Sequence, residues 1–188
     1  MKFTQIPANT FEEIQMNAGV LLSDFSPETA EMQLANIIGA TSGGVSFSDT
    51  PQYKDMGEDI DGCPKNMREL KKLESRDIKL SGTFVTINKN QAKSLAAAAD
   101  IDGDKITPRD DLLAEDFIDL WWVGDYSDKN GENGGFVAIH MKNVLSTGGL
   151  KIQATDKEKG KFAFEYTAHY SMAAQNEVPY VIYIKEGA

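Results

Sequence analysis

Residues 119–185, DLWWVGDYSDKNGENGGFVAIHMKNVLSTGGLKIQATDKEKGKFAFEYTAHYSMAAQNEVPYVIYIK, read as five strands in succession: 121–126, 136–145, 150–155, 162–172 and 180–185. These runs are rich in β-branched and aromatic side chains, which suit a pleated, half-buried surface. Between them stand Asn130-Gly131 with Gly134-Gly135, then Gly148-Gly149, then 156–160, then 173–179. Asn-Gly and Gly-Gly supply the positive φ that tight hairpin turns require. Short strands punctuated in this way predict an antiparallel sandwich or barrel.

Upstream, 67–87 predicts one long strand or two joined ones. From Asp77 onward, Ile78, Leu80, Gly82 and Phe84 share one face, and Lys79, Ser81, Thr83 and Val85 the other. Ser81-Gly82 marks a bulge. The one helix is expected at about 89–99, capped by Asn88 or Asn90, with Ala92, Leu95, Ala96 and Ala99 as its apolar stripe. Near the start, 11–16 predicts a short helix or a strand entry, with Thr10 as cap and Glu13 three residues on. The apolar run 18–25 and its partner strand 32–40 follow. The least regular stretch is 41–66, broken by Gly43-Gly44, Pro51, Gly57, Gly62 and Pro64, with Asp49, Asp55, Glu58, Asp59 and Asp61 against Lys54. It predicts a long loop, either a mobile surface segment or one that binds a neighbouring chain. The 188 residues suit a single domain, 1–188.

Hydrophobic residues make up 41% of the chain and charged ones 26%, enough apolar surface for a core. No apolar run approaches the ~18 residues of a membrane helix, and no secretory signal is expected at the N-terminus. The net charge is −10, from 29 acidic and 19 basic residues. That balance argues against a nucleic-acid binder and lets DNA pass without sticking. The lone Cys63 excludes an internal disulfide, and its acidic, Pro-flanked surroundings do not favour a thiolate nucleophile.

Chemistry-bearing patterns are sparse. Asp100, Asp102 and Asp104 have the spacing of the first calcium-loop ligands, but Lys105 stands where the loop needs glycine. A solvated turn ending the helix is the simpler reading. His140 and His169, with Glu165, would reach a zinc ion only if their strands pair suitably. Gly160-Lys161 lacks the remainder of a phosphate loop. Trp121 and Trp122 point to opposite faces of their strand, one toward the core and one toward a sugar, a partner subunit or another part of the fold. No catalytic, cofactor-binding or metal residues are assigned, and an enzyme is not expected.

An ordered set of segments carries a resemblance: 17–25 (NAGVLLSDF), 38–47 (IGATSGGVSF), 57–61 (GEDID), 63–66 (CPKN), 80–84 (LSGTF), 106–109 (ITPR) and 120–126 (LWWVGDY). Together, over roughly residues 10 to 185, the chain resembles the tail tube (major tail) proteins of tailed phages and prophages of Gram-positive bacteria. The resemblance implies a β-sandwich or half-barrel with one flanking helix. It also implies a structural virion protein that closes into rings, with the rings stacking into a hollow tube for DNA. Its partners would be copies of itself and other tail proteins, with no membrane and no cofactor. Its place would be the virion tail, after synthesis in the host cytoplasm. The stretch 41–66 would then reach the adjacent ring. The alternatives are a sugar- or calcium-binding β-sandwich module, or another tail component such as a terminator or a fibre segment.

Overall fold

The computed structural model describes residues 5–126 and 135–186. After a single-turn helix α1 (Thr10–Glu13) come β1 (Gln15–Leu22), β2 (Thr41–Asp55), β3 (Lys71–Phe84) and the helix α2 (Lys89–Leu95). A small hairpin follows, β4 (Ala99–Asp102) with β5 (Lys105–Pro108). Then come β6 (Ile118–Tyr126), β7 (Gly135–Ser146), β8 (Lys151–Gln153), β9 (Lys161–Ala168) and β10 (Tyr180–Lys185). The protein is mainly β with one flanking helix, as the strand pattern predicts.

Eight strands form one antiparallel sheet in the order β1-β6-β7-β9-β3-β2, with β10 added to β7 and β8 to β9. The sheet has two halves, β1-β6-β7-β10 and β2-β3-β9-β8. They are joined where Val144, Leu145 and Ser146 pair with Ala168, Thr167 and Tyr166. Both halves supply one core: Leu21, Leu120, Ile139 and Met141 from the first, and Ile78, Leu80, Phe84, Phe164 and Tyr166 from the second. The sheet therefore folds over on itself as a sandwich, and Leu95 of α2 plugs the same core. Each such side chain contributes ~1.5–3 kcal/mol by leaving water.

Alternation of neighbours builds a second, smaller core on the outer face of the first half. Leu21, Trp122 and Ile139 lie in register on the inner side, while Leu22 and Trp121 lie on the outer side with Ala138 and Phe25. Trp121 and Trp122 thus do serve opposite faces, and both are taken up by the fold itself. Trp122 Nε1 donates to the Ala18 carbonyl at 3.0 Å.

Several expectations are corrected. The stretch 41–66 is not a loop: its first fifteen residues are β2, paired along most of β3. Gly43 and Gly44 take φ of +81° and +82° inside a bulge between Thr41 and Val45, so they bend the strand without ending it. Pro51 is tolerated because β2 is an edge strand. The expected bulge at Ser81-Gly82 lies across the ladder, in β2; β3 runs in unbroken register with β9 from Lys79 to Phe84. Gly82 is there because Phe164 crosses it, and a Cβ would meet that ring at 2.6 Å.

The helix ends at Leu95, short of the expected 99. Ala97 turns left-handed (φ 66°) and Ala99 opens β4, so hairpin pairing overrides the helix preference of the alanine run. Asn88 caps α2 in a reciprocal capping box with Gln91. At the N-terminus Asn9, not Thr10, is the cap position, and Thr10 Oγ1 bonds the Pro7 carbonyl instead. The segment 32–40 forms no strand, only a 3-10 turn at Leu34–Asn36 and one bridge from Ile37 to Leu22. The strand expected at 162–172 ends at Ala168. The turn residues Asn130, Gly131 and Gly134 lie outside the described residues. Among the described residues, no helix is long and apolar enough to cross a membrane.

Candidate interaction surfaces

The histidines and acids first singled out do not converge. His140 on β7 stacks on Trp121 with ring centroids 4.0 Å apart, and its Nε2 lies 3.2 Å from Asp119 Oδ2. His169 lies beyond the end of β9, with Nδ1 3.2 Å from the Asn143 carbonyl and its ring edge-on to Phe117. Glu165 sits elsewhere on β9, beside Thr147 and Lys79. Asp104 pairs with Lys89, and Asp100 Oδ1 lies 2.9 Å from Arg109 Nε, out of line for a hydrogen bond. Among the described residues, no three His, Cys, Asp or Glu side chains gather where they would hold a metal ion. Cys63 Sγ packs 3.5 Å from Met67 Sδ.

What stands out is surface that a lone chain leaves uncovered. β10 pairs with β7 along one edge and has no partner along the other among the described residues. Its side chains are apolar on both faces. Ile182 and Ile184 lie on the inner side at 46% and 63% exposure, and Val181 and Tyr183 lie on the outer side beside the Trp121–His140 stack. The other edge strands of the eight-stranded sheet are blunted. β1 carries a bulge with Asn17 and Gly19 at positive φ, β2 carries two irregularities and Pro51, and β8 is three residues long. β10 has six residues, no bulge, no Gly or Pro, and a single charge, Lys185, at its end.

The second feature is an arm. β3 leaves β9 at Lys79, so the distal parts of β2 and β3, 50–55 and 71–77, pair only with each other. Six residues of strand span ~20 Å. The tip is folded, not loose. Asp55 accepts from the amides of Gly57 and Asn66 at 3.0 and 2.8 Å, and these bonds hold its carboxyl below the usual range. Met56 N donates to the Leu70 carbonyl at 2.9 Å, and Gly57 is buried under Cys63 and Leu70. This compact tip exposes Met56, Ile60 and Met67, and the stalk exposes Tyr53 and Leu73.

A polar latch joins arm and edge. Asp49, at the arm's base, pairs with Arg76 and accepts from Tyr180 Oη, at the start of β10, at 2.8 Å. That hydrogen bond is the main reason the Tyr180 hydroxyl titrates above its ordinary value.

Beside β10, burial holds His140 below the ordinary histidine value of 6.5. Lys142 acts in the same direction, and Asp119 and Asp24 act against it. Because the folded value lies below the unfolded one, the unfolded chain takes up this proton first as pH falls. The stabilisation is complete above pH 6.5 and is lost below it, toward the folded value. The melting temperature is expected to drop on going from about pH 7.5 to about pH 5.5. His140→Gln should shrink that drop; an identical drop in both proteins would show that His140 is not its source.

Neither surface was legible as such in the sequence. Five consecutive apolar residues in β10 look like a buried strand, and a solvated ribbon shows no alternation to reveal an arm. No protein-family profile matches the chain, and no curated protein matches it.

Proposed function

We propose that this chain is a structural subunit that assembles with copies of itself into rings that stack as a tube, in the manner of a phage tail tube protein. The observation that carries the reading is β10, an apolar, unbulged edge strand on a large sheet whose other edge strands are blunted. A soluble monomer that kept such an edge would aggregate, whereas closing a ring covers it. A ring needs a heterologous contact, in which two different surfaces of the same chain meet.

The arm supplies a second surface that reaches beyond the sandwich, as stacking requires. The net charge of −10 suits a wall past which DNA slides without binding. The reading needs no catalytic group. It places the chain in a virion tail, beside other tail proteins.

Sedimentation velocity and negative-stain microscopy of the purified chain test this together. Rings and tubes that grow with concentration are expected. A chain that stays monomeric at high concentration, with neither rings nor tubes in micrographs, would overturn it.

A further inference from the structure

The free edge of β10 has a definite hydrogen-bonding pattern. Lys142 N donates to the Pro179 carbonyl at 2.9 Å, and the register continues from Tyr180 opposite Met141 to Lys185 opposite Phe136. In an antiparallel pair, alternate residues aim both backbone groups at the partner strand. Pro179, Val181, Tyr183 and Lys185 therefore face β7. Tyr180, Ile182, Ile184 and Glu186 aim their backbone groups outward, where no strand pairs with them among the described residues. The Tyr180 amide is used locally, donating to the Val178 carbonyl at 2.8 Å.

This pattern is complementary to itself. A second β10 laid antiparallel along the edge, with a two-fold axis at Tyr183, sets Ile182 opposite Ile184 of the second copy and Tyr180 opposite its Glu186. All four outward residues then have partners. A slip of two residues leaves Tyr180 or Glu186 beyond the paired stretch, and a slip of one sets outward groups against inward ones. Side chains agree with the same register. On the inner side, four exposed isoleucines, two from each copy, come together. On the outer side Tyr183 meets its own counterpart, which carries the Trp121–Tyr183 ring contact across to the second copy. No like charges are opposed, because Lys185 stands opposite Val181 and Glu186 opposite Tyr180.

We propose that two copies of the free chain pair through β10 in this register, as a two-fold dimer with one sheet running through both. The dimer stands on the β10 edge alone and does not rest on the ring reading. It covers the one unblunted edge of the large sheet before any larger assembly exists. A contact centred on two six-residue strands is small beside the ~1,200–2,000 Å² of a stable interface, so the dimer dissociates readily. A ring contact made through β10 and this dimer exclude one another, and release of the dimer then precedes ring closure.

Cross-linking tests the register, with Cys63→Ser as the background so that each variant carries a single thiol. Tyr183 lies at a non-hydrogen-bonded position of the proposed pair, where facing Cα atoms stand ~4.5 Å apart, within reach of a disulfide. Under copper–phenanthroline in air, Tyr183→Cys should become a covalent dimer. Val181→Cys and Lys185→Cys should each stay uncoupled alone and join when mixed, because each faces the other across the two-fold axis. This second pair keeps the test open if loss of the Tyr183 ring impairs folding, which circular dichroism reads. The parent, below any concentration at which rings form, should sediment as two chains in exchange with one. A parent that is monomeric there, folded variants that fail to couple, or Val181→Cys and Lys185→Cys that couple alone as well as mixed, would overturn the dimer. So would Tyr183→Cys products that favour more than two chains, which mean that another strand of the neighbour takes the edge. Rings without the dimer sink this proposal alone; the dimer without rings sinks the ring reading and leaves this one standing.

Discussion

Ile182→Lys/Ile184→Lys is expected to abolish ring formation while leaving the monomer folded. The two isoleucines lie on the inner side of β10, at 46% and 63% exposure, so their replacement removes little that the single chain buries. Exposed substitutions of this kind change monomer stability by ~0.5 kcal/mol or less. Between subunits the arithmetic differs. Burial of the pair contributes ~3–4 kcal/mol to one contact, roughly a hundred- to a thousandfold in its association constant. Lysine also acts as a guard against strand addition, which the native edge lacks. Sedimentation should show a monomer across the concentrations at which the parent forms rings, with an unchanged melting temperature. Rings of the parent's size from this variant would mean that β10 does not form the lateral contact.

The strands of the C-terminal region were legible because each is a short run rich in β-branched and aromatic residues set between stretches of turn-forming or polar residues. Residues 121–126 and 180–185 fall within or on β6 and β10. The β2 strand was hidden because Gly43, Gly44 and Pro51 are the ordinary marks of a loop; only its place at the sheet edge makes them compatible with a strand. The arm was hidden for a different reason. A two-stranded ribbon solvated on both faces puts Lys54, Asp55, Lys71 and Lys72 in a row with no period to detect. The aspartates of 100–104 were visible, but their partners Arg109 and Lys89 lie five or more residues from the acids they bind, and only folding brings them together.

Asp49 connects the two surfaces. Tyr180 begins the free edge, Arg76 belongs to the arm, and the carboxylate between them holds both. Phe47 supports the same junction, with its ring 5.2 Å from that of Tyr180. The β10 edge and the arm are thus anchored at one point, so a shift of the arm would bear directly on the first residue of β10. Asp49 Oδ1 and Arg76 Nε are buried without hydrogen-bond partners of their own among the described residues, which leaves the junction less than fully satisfied there.

Phe84→Ala should act in the opposite way to the β10 substitutions, on the monomer first. Phe84 is fully buried at the end of β3, in register with Thr41 of β2 and Phe162 of β9, and its ring lies 4.4 Å from that of Phe164. Truncation removes the transfer energy of the ring and leaves a cavity, costing ~3–5 kcal/mol. Domains of this size hold ~5–15 kcal/mol in total and lose ~2–4 °C of melting temperature per kcal/mol, so a fall of roughly 6–20 °C is expected. No surface of β10 or the arm is altered, so under the self-assembly reading subunits that remain folded at low temperature should still form rings. Assembly in turn should restore part of the lost stability by mass action, which makes the melting temperature rise with protein concentration. A melting temperature within about 2 °C of the parent would mean that the two halves of the sheet are not held together through Phe84. Loss of rings from a variant shown to be folded would mean that the core and the assembly surfaces are not separable in this chain, and that the edge and the arm depend on packing as far away as the end of β3.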